Sequence, residues 1–268
     1  MRMRVGTVEC EVVDDGQLAV PPEIIFPAAR RAEWPAIETN TDGRLALSVN
    51  CLLIRSDRQV ILVDTGNGNR PGARFPGGGE LLQHLSVAPG EVNVVLLTHP
   101  HSDHVGGTTQ LRAGRLEPTF PHARHLLARA DWDYVTVQRL PVAPHVEQTL
   151  IPLHDWGLLD LVGPDLPITD EVTMVSAPGH TPGNSVVRVR SVGEELFFLG
   201  DLIHHTAEIE NVHLIADGDA LPDLVPAARR RVFDQVLATD ALVTASHLPF
   251  PGLGRLERSD GEVTFRPQ

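Results

Sequence analysis

Short apolar runs separated by glycine- and proline-rich segments recur along the whole chain. The runs Leu45–Arg55, Gln59–Asp64 and Asn93–Thr98 are rich in valine, leucine and isoleucine. Such runs, bounded by turn residues, are typical of buried strands. Further strands are predicted over Arg4–Val13, His122–Ala128, Val172–Ala177, Ser185–Arg190, Leu196–Gly200, Ala241–Ser246 and Glu262–Phe265.

Apolar residues near helical spacing predict helices between some of these strands. The clearest helical pattern covers Leu224–Ala238. Other helices are predicted over Glu80–Leu85, from near His104, over Ala130–Gln138 and in part of Val146–Leu161. Strands in runs with interspersed helices favour sheets covered by helices. No segment has the composition of a linker, so we predict one domain over residues 1–268.

Two segments show neither the apolar runs of strands nor the spacing of helices. A proline-rich arm at about 21–43 contains Phe26 and Trp34 as candidate anchors, and Gly66–Gly79 is a loop by composition. Long ordered loops are often functional, so we expect both segments to supply pocket walls. Homodimerisation through the arm is a further hypothesis.

Charge and composition exclude several classes of partner. The 268 residues carry a formal net charge of −13, which disfavours binding to nucleic acid. No apolar run is long enough for a membrane helix, so no membrane partner is expected. The first residues contain two arginines but no apolar stretch after them, unlike a secretory signal, and we predict a cytoplasmic protein. The basic run Arg229–Arg231 is predicted to be a solvated helix face.

The sequence contains no lysine, so all of its basic side chains apart from histidine are arginine. This excludes a Schiff-base lysine, a Walker-type phosphate lysine and a Ser–Lys dyad. A G-x-S-x-G elbow is also absent from the sequence. Catalytic positive charge must therefore come from arginine, protonated histidine or a bound metal ion.

Candidate metal ligands follow several of the predicted strands directly. Asp64, the cluster His99–His104, His180, Asp201 and His247 each come just after an apolar run. Strand ends on one edge of stacked sheets converge on a single cleft. Residues far apart in sequence are therefore expected to share one site.

The densest cluster is the hexapeptide His-Pro-His-Ser-Asp-His, residues 99–104. Imidazole nitrogens and carboxylate oxygens are the donors that zinc and related divalent ions prefer. Pro100 disfavours a helix at His99, and an extended backbone lets His99 and His101 point the same way. Gly106 and Gly107 then allow the chain to turn close to the site.

The ordered set of motifs resembles the metallo-β-lactamase superfamily. The motifs are Asp64-Thr65-Gly66, HPHSDH, His180 in SAPGHTPGN, Asp201 in LGD and His247 in ASH. The resemblance covers about Leu45 to Gly254 and implies an α/β fold, a four-layer αββα sandwich of two sheets with helices outside.

The resemblance also implies a ligand role for each motif residue. His99, His101 and His180 would hold one metal ion, Asp103, His104 and His247 the other, and Asp201 would bridge both. Asp64 would fix the ligand loop through hydrogen bonds. The cofactors implied are two divalent ions, zinc first, with manganese, cobalt or iron as alternatives.

His204 departs from the pattern of the lactonases in this superfamily. The segment LGDLIHH resembles lactonases and organophosphate hydrolases, and several lactonases have tyrosine where this chain has His204. The one tyrosine, Tyr134, lies elsewhere in the sequence. We consider two roles for His204, a hydrogen-bond donor to substrate or leaving group and a structural histidine beside the metals.

A hydrolase acting on a small molecule is the expected function. Two adjacent divalent ions make a bridging hydroxide available at neutral pH, with Asp103 or Asp201 moving a proton. We rank an ester or lactone first, acyl-homoserine lactones included. A phosphotriester ranks second, on the expectation that Phe250 lies beside the cleft. A glyoxalase II-type thioesterase ranks lower, and a non-catalytic metal-binding protein is the alternative class.

Overall fold

The computed structural model describes residues 1–27, 39–69, 77–259 and 261–268. Within these ranges the strands form two seven-stranded sheets and a separate hairpin. In chain order the strands are β1 (Arg2–Val5), β2 (Val8–Val20), β3 (Leu45–Ser56), β4 (Gln59–Val63), β5 (Val94–Leu96), β6 (Thr109–Arg112), β7 (Arg115–Pro118), β8 (Arg124–Ala128), β9 (Leu159–Val162), β10 (Leu166–Pro167), β11 (Val172–Ser176), β12 (Ser185–Ser191), β13 (Glu194–Phe198), β14 (Leu242–Thr244), β15 (Gly254–Ser259) and β16 (Glu262–Pro267).

The first large sheet has the order β1-β2-β3-β4-β5-β8-β9, and the second runs in chain order from β10 to β16. The α-helices are α1 (Leu81–His84), α2 (Ser102–Val105), α3 (Arg129–Asp133), α4 (Pro144–Gln148), α5 (Leu150–Asp155), α6 (Ala207–Glu210) and α7 (Val225–Thr239). A π-helix over Tyr134–Gln138 continues α3. No helix in the described part of the chain has the length and apolarity needed to cross a bilayer.

The two sheets pack face to face because alternate residues of their strands point into one shared core. Leu52 and Ile54 of β3 belong to the same buried cluster as Leu196 and Phe198 of β13. Successive side chains of a strand point to opposite faces, so this spacing of two assigns one face of each sheet to the other sheet.

The residues between them point outwards and are covered by helices. Leu53 of β3 shares a buried cluster with Leu150 of α5, and Phe197 of β13 shares another with Val232 of α7. Both faces of each sheet are thus buried, which explains why these strands are continuous apolar runs. The predicted four-layer αββα sandwich is confirmed.

Two elements differ from the sequence prediction. The predicted strand Arg4–Val13 is a hairpin, because Gly6 turns the chain at φ +55° between β1 and β2. Part of Val146–Leu161 is helical, as predicted, but the strand at its end was not predicted: α5 ends at Asp155 and Gly157 takes φ +70°. Leu159 then begins β9, which pairs in parallel with β8.

The structure describes the proline-rich arm only in part. Residues 28–38, which include Trp34, and residues 70–76 of the glycine-rich loop lie outside the described ranges. At the root of the arm Phe26 is fully buried, and its ring meets that of His205 edge-on at 5.3 Å between centroids. Phe26 is therefore an anchor of the arm, as predicted.

Candidate metal centre

The predicted ligands lie where parallel strands end. β4 and β5 are parallel, and Asp64 and His99 follow them. β13 and β14 are also parallel, and Asp201 and His247 follow those strands. His180 lies in the turn between β11 and β12. Because the carboxyl ends of parallel strands meet at one edge of a sheet, these residues share one end of the sandwich.

The hexapeptide forms an extended step followed by a short helix. His101 is extended at φ −72° and ψ 155°, and α2 begins at Ser102, slightly before the predicted start near His104. The chain then passes so close to the loop after β4 that a Cβ on Gly106 would lie 2.1 Å from the carbonyl oxygen of Asn67. A residue without a side chain is required there, which confirms the role predicted for glycine in this turn.

The first donor set consists of three imidazoles and one carboxylate. Nδ1 of His101 is 3.0 Å from Nε2 of His99 and 2.9 Å from Nε2 of His180. Oδ2 of Asp201 lies 3.6 Å from Nε2 of His99 and 3.4 Å from Nε2 of His180. The donor atoms all lie within 4.8 Å of one another, an arrangement that can hold one metal ion.

The second set lies against the other oxygen of the same aspartate. Its members are Asp103, His104 and His247, whose donor atoms also lie within 4.8 Å of one another. Oδ1 of Asp201 is 3.2 Å from Nε2 of His104 and 3.2 Å from Nε2 of His247. Asp201 therefore presents one oxygen to each set, and the structure brings together all seven predicted ligands.

The side chains of this centre are better arranged to bind divalent cations than to hydrogen-bond to one another. Nε2 of His104 and Oδ1 of Asp201 are buried and have no hydrogen-bond partner among the described residues. In the first set three ring nitrogens converge, and neutral imidazoles cannot satisfy every lone pair by N–H···N bonds. A divalent ion in each set would accept these lone pairs together.

Hydrogen bonds on the side of the ring that faces away from Asp201 fix the orientation of His104. Its Nδ1–H donates to Oδ2 of Asp64 at 2.7 Å, and the same carboxylate accepts from the backbone N–H and the hydroxyl of Thr98, each at 2.8 Å. Asp64 adopts φ +60°, a conformation that a short polar side chain tolerates better than most. It has the orienting place that the resemblance implied.

His180 and His247 are held in the same way, by partners that were not predicted from the sequence. Nδ1–H of His180 donates to Oδ1 of Asp219 at 2.9 Å, and Nδ1–H of His247 donates to the carbonyl oxygen of Ser48 at 2.8 Å. Outer partners of this type fix the ring and leave Nε2 free to bind a metal ion. Nothing local in the sequence signals either pairing.

The electrostatics of the centre favour bound positive charge. Burial lowers the pKa of His99 and of His101 well below the usual range, with nearby histidines adding to the effect. Burial alone would also lower the pKa of His104, but the carboxylates around it, Asp201 foremost, raise it well above its usual range. Burial works to raise the pKa of Asp201, yet the surrounding imidazoles hold it well below normal.

Comparison with known proteins agrees with this geometry. The family model of the metallo-beta-lactamase superfamily matches residues 44–249, well over half of the chain. The chain belongs to this superfamily. A hydroxyacylglutathione hydrolase of Aeromonas hydrophila is 28% identical over 151 residues, which are 56% of this chain and 45% of that enzyme. The match thus spans about half the length of that relative.

Two solved structures share the fold of this chain. AidC, a dizinc quorum-quenching lactonase, superposes with a TM-score of 0.80 at 24% identity, covering 100% of this chain and 97% of AidC. The hydrolase AbOPH superposes with a TM-score of 0.84 at 21% identity, covering 100% of this chain and 96% of AbOPH. At these identities the likeness establishes the fold.

The metallo-beta-lactamase centre of this chain lies on the wall of a cavity of about 680 Å³. Aliphatic side chains of the first sheet and the arm form one wall: Leu18, Val20, Ile24, Ile25 and Leu47. Tyr134, Arg139 and His145 line another part. A wall from the arm was expected. The placement of Tyr134 and His145 at the cavity was not.

Two further expectations were wrong. Phe250 is 43% exposed and is not among the described residues that line the cavity, so its predicted place beside the cleft is not observed. Arg229 is fully buried, although Arg230 and Arg231 are exposed as expected of a solvated helix face. Its burial follows from an ion pair with Glu208, which the run of arginines does not reveal.

His204 lies beside the centre but outside both donor sets. Its Nε2 is 3.3 Å from Oδ2 of Asp201, and its ring is parallel to that of His247 at 5.7 Å between centroids. Burial opposes a proton on this ring, but Glu208 and Asp201 raise its pKa well above the usual range. His204 therefore contacts Asp201, the carboxylate that faces both donor sets. A hydrogen-bond donor to a substrate bound at the two sets would have to lie there.

Asp131 gives a prediction about pH. Its buried carboxylate accepts from the backbone N–H of Gly183 at 2.7 Å and the hydroxyl of Thr181 at 2.9 Å, which ties down the turn carrying His180. Burial raises the pKa of Asp131 to about 7 from an ordinary 3.8. A raised folded-state pKa contributes stability that is complete below the ordinary value and is lost as pH rises through about 7.

We therefore expect the free energy of unfolding of the native protein to fall by roughly 2–3 kcal/mol more than that of Asp131→Asn between about pH 5 and pH 8. Urea denaturation at fixed metal concentration measures both profiles. Asp155→Asn, at a side chain 71% exposed, should leave the native profile unchanged. Parallel profiles for Asp131→Asn and the native protein would show that Asp131 does not titrate in this range.

Proposed function

We propose that the protein is a hydrolase that uses two divalent metal ions, zinc foremost. Its substrate is a small ester or lactone that carries an apolar acyl group. The observation that carries the proposal is the pair of adjoining donor sets sharing Asp201 in a cavity that has one aliphatic wall. Bound there, two divalent cations lower the pKa of water and polarise a carbonyl oxygen. Acyl-homoserine lactones fit this class, and the fold shared with the lactonase AidC supports it.

The residues of the chain have distinct tasks in this proposal. His99, His101, His180 and Asp201 hold one cation, and Asp103, His104 and His247 hold the other with Asp201. Asp103 or Asp201 accepts the proton that is released when water attacks the carbonyl carbon. His204 carries a proton on both ring nitrogens, so Nε2–H donates to the leaving oxygen while Nδ1–H faces Glu208. The aliphatic wall, including Leu18 and Leu47, binds the acyl part and excludes water from it.

A thioester is the second candidate substrate. The supporting observation is the 28% identity to the hydroxyacylglutathione hydrolase of Aeromonas hydrophila. The prediction of phosphotriester hydrolysis was based on Phe250 lying beside the cleft. Phe250 does not line the described cavity, so this support is lost. The cavity is large enough for any of these molecules, so turnover must decide between them.

A substrate panel tests the proposal. Protein loaded with zinc, manganese or cobalt is assayed with an aryl ester, acyl-homoserine lactones, a glutathione thioester and a phosphotriester. We expect two metal ions per chain by mass spectrometry, turnover of esters or lactones, and its loss with a chelator. Two bound metal ions without turnover of any substrate would instead favour a non-catalytic metal-binding protein.

Asp103→Ala separates the second metal position from the first. Asp103 is a member of the second donor set only, and its side chain is 16% exposed at the cavity. We expect metal content to fall towards one ion per chain and kcat to fall about a hundredfold or more, with the thermal midpoint little changed. Asp155→Ala is the control. Full activity of Asp103→Ala would mean that the second position is not catalytic.

A further inference from the structure

The histidines His104, His180 and His247 share one arrangement. Each is held at Nδ1 by an oxygen of the protein, and each points Nε2 at Asp201, at 3.2, 3.4 and 3.2 Å respectively. A hydrogen bond from Nδ1–H fixes both the ring plane and the nitrogen that faces the metal. The arrangement indicates that the orientation of each ring is important for the function of the centre.

His204 repeats this arrangement although it belongs to neither donor set. Its Nδ1 is 3.4 Å from Oε1 of Glu208, and its Nε2 is 3.3 Å from Oδ2 of Asp201. The ring lies within 10° of the plane of His247 and lines the cavity. Its Nε2 is thus presented beside the two sets, where a substrate held by them would lie.

The Glu208 carboxylate also holds the backbone around His204. Its Oε2 accepts the backbone N–H of His204, in a short contact, and that of His205 at 2.9 Å. Oε1 accepts from Nη2 of Arg229, and both side chains of this ion pair are 0% exposed. Nε–H of Arg229 in turn donates to the carbonyl oxygen of Leu202 at 2.8 Å. Glu208 is therefore fixed from behind.

Stability does not explain an ion pair buried this deeply. Removing two charges from water costs several kcal/mol per ion, and apolar replacements of such pairs are often neutral or stabilising. Among the described residues that hydrogen-bond to Glu208 or Arg229, His204 is the one that lines the cavity. We propose that Glu208, fixed by Arg229, is a positioning residue that holds His204 with Nε2 towards the bound substrate. The inference rests on the proposed function, in which His204 donates to the leaving oxygen.

Glu208→Asp is the test variant, because it keeps the charge opposite Arg229 but withdraws the carboxylate from Nδ1 of His204 by one methylene. Glu210→Asp, at an exposed residue of the same helix α6, is the matched control. We expect Glu208→Asp to lower kcat about tenfold with KM within about twofold, and the control to change neither. In a His204→Gln background the same substitution should have no further effect on kcat.

A second measurement is independent of turnover. In the zinc-loaded protein, nitrogen NMR should show a protonated Nδ1 on His204, identified by the signals missing from His204→Gln. Glu208→Asp should shift or remove this signal while metal content stays at two ions per chain. If no substrate is hydrolysed, the proposed function fails, and this spectrum still decides whether Glu208 positions His204.

Several outcomes would overturn the inference. Glu208→Asp could lower kcat equally in the native protein and in the His204→Gln background, or could leave the His204 signal unchanged. Either result would show that Glu208 does not act through His204. If Glu208→Asp does not fold, Glu208→Gln, which keeps the side-chain length, is compared in the same way. Failure of both variants to fold, with Glu210→Asp folded, would assign Glu208 a structural role in place of a positioning one.

Discussion

Asp201→Ala is expected to abolish turnover and to leave less than one metal ion per chain. Asp201 is the one described carboxylate that faces both donor sets, with Oδ1 towards His104 and His247 and Oδ2 towards His99 and His180. Its loss removes a ligand from each set and leaves buried imidazoles crowded without the negative charge that holds bound cations together. We expect kcat/KM to fall by about ten thousandfold or more, since both cations contribute to the same barrier.

The measurement is kcat/KM together with metal content after dialysis against excess zinc. Asp223→Ala is the control, because Asp223 is exposed and is not among the described residues that line the cavity. The circular dichroism spectra of both variants should match that of the native protein. An Asp201→Ala variant with two metal ions and more than about a tenth of native activity would contradict the shared-ligand assignment.

Arg229→Ala is expected to destabilise the protein by about 3–5 kcal/mol, because it leaves the Glu208 carboxylate buried without its counter-charge. Both side chains are fully buried, and Arg229 also donates to the carbonyl oxygens of Leu202 and Val212. The Arg229 guanidinium offsets the burial of Glu208 and, with His204, holds the pKa of Glu208 down to about 2. Without Arg229 this carboxylate would be protonated or solvated, and either would distort the segment that carries His204.

Urea denaturation of metal-loaded protein gives the free energy of unfolding. Arg230→Ala, at an exposed residue of the same helix, should change this free energy by less than about 0.5 kcal/mol. The double variant Arg229→Met with Glu208→Gln removes both charges and should recover part of the loss. A cost below about 1 kcal/mol for Arg229→Ala would show that Glu208 is solvated in the native protein.

Helical spacing contained a signal for the burial of Arg229 that the basic run concealed. Arg229 lies four residues after Val225 and three before Val232, on the face of α7 that packs on the second sheet. A charged residue on an apolar face needs a buried partner, and this rule predicts one for Arg229. Its identity follows only from the fold, because Glu208 lies 21 residues earlier in the chain.

The outer partners of the ligand histidines show the same limit. Asp219 is 39 residues from His180, and Ser48 is 199 residues from His247. Neither Asp219 nor Ser48 stands in a motif, because an acceptor for Nδ1 can be any oxygen that the fold brings within reach. The position of Asp64 was expected, since the turn after β4 belongs to the ligand pattern of the superfamily.

The sequence by itself determined most of the strands, and the motifs that resemble the superfamily implied the four layers and the candidate metal ligands, divided into two sets around Asp201. The strands are recognisable in the sequence because they are continuous apolar runs, and the candidate ligands follow strands whose ends meet. Tertiary structure alone decided which oxygens hold the rings of those ligands and how His204 is supported. These features depend on distances between segments that no local periodicity encodes, because hydrogen bonds and ion pairs need only proximity in space.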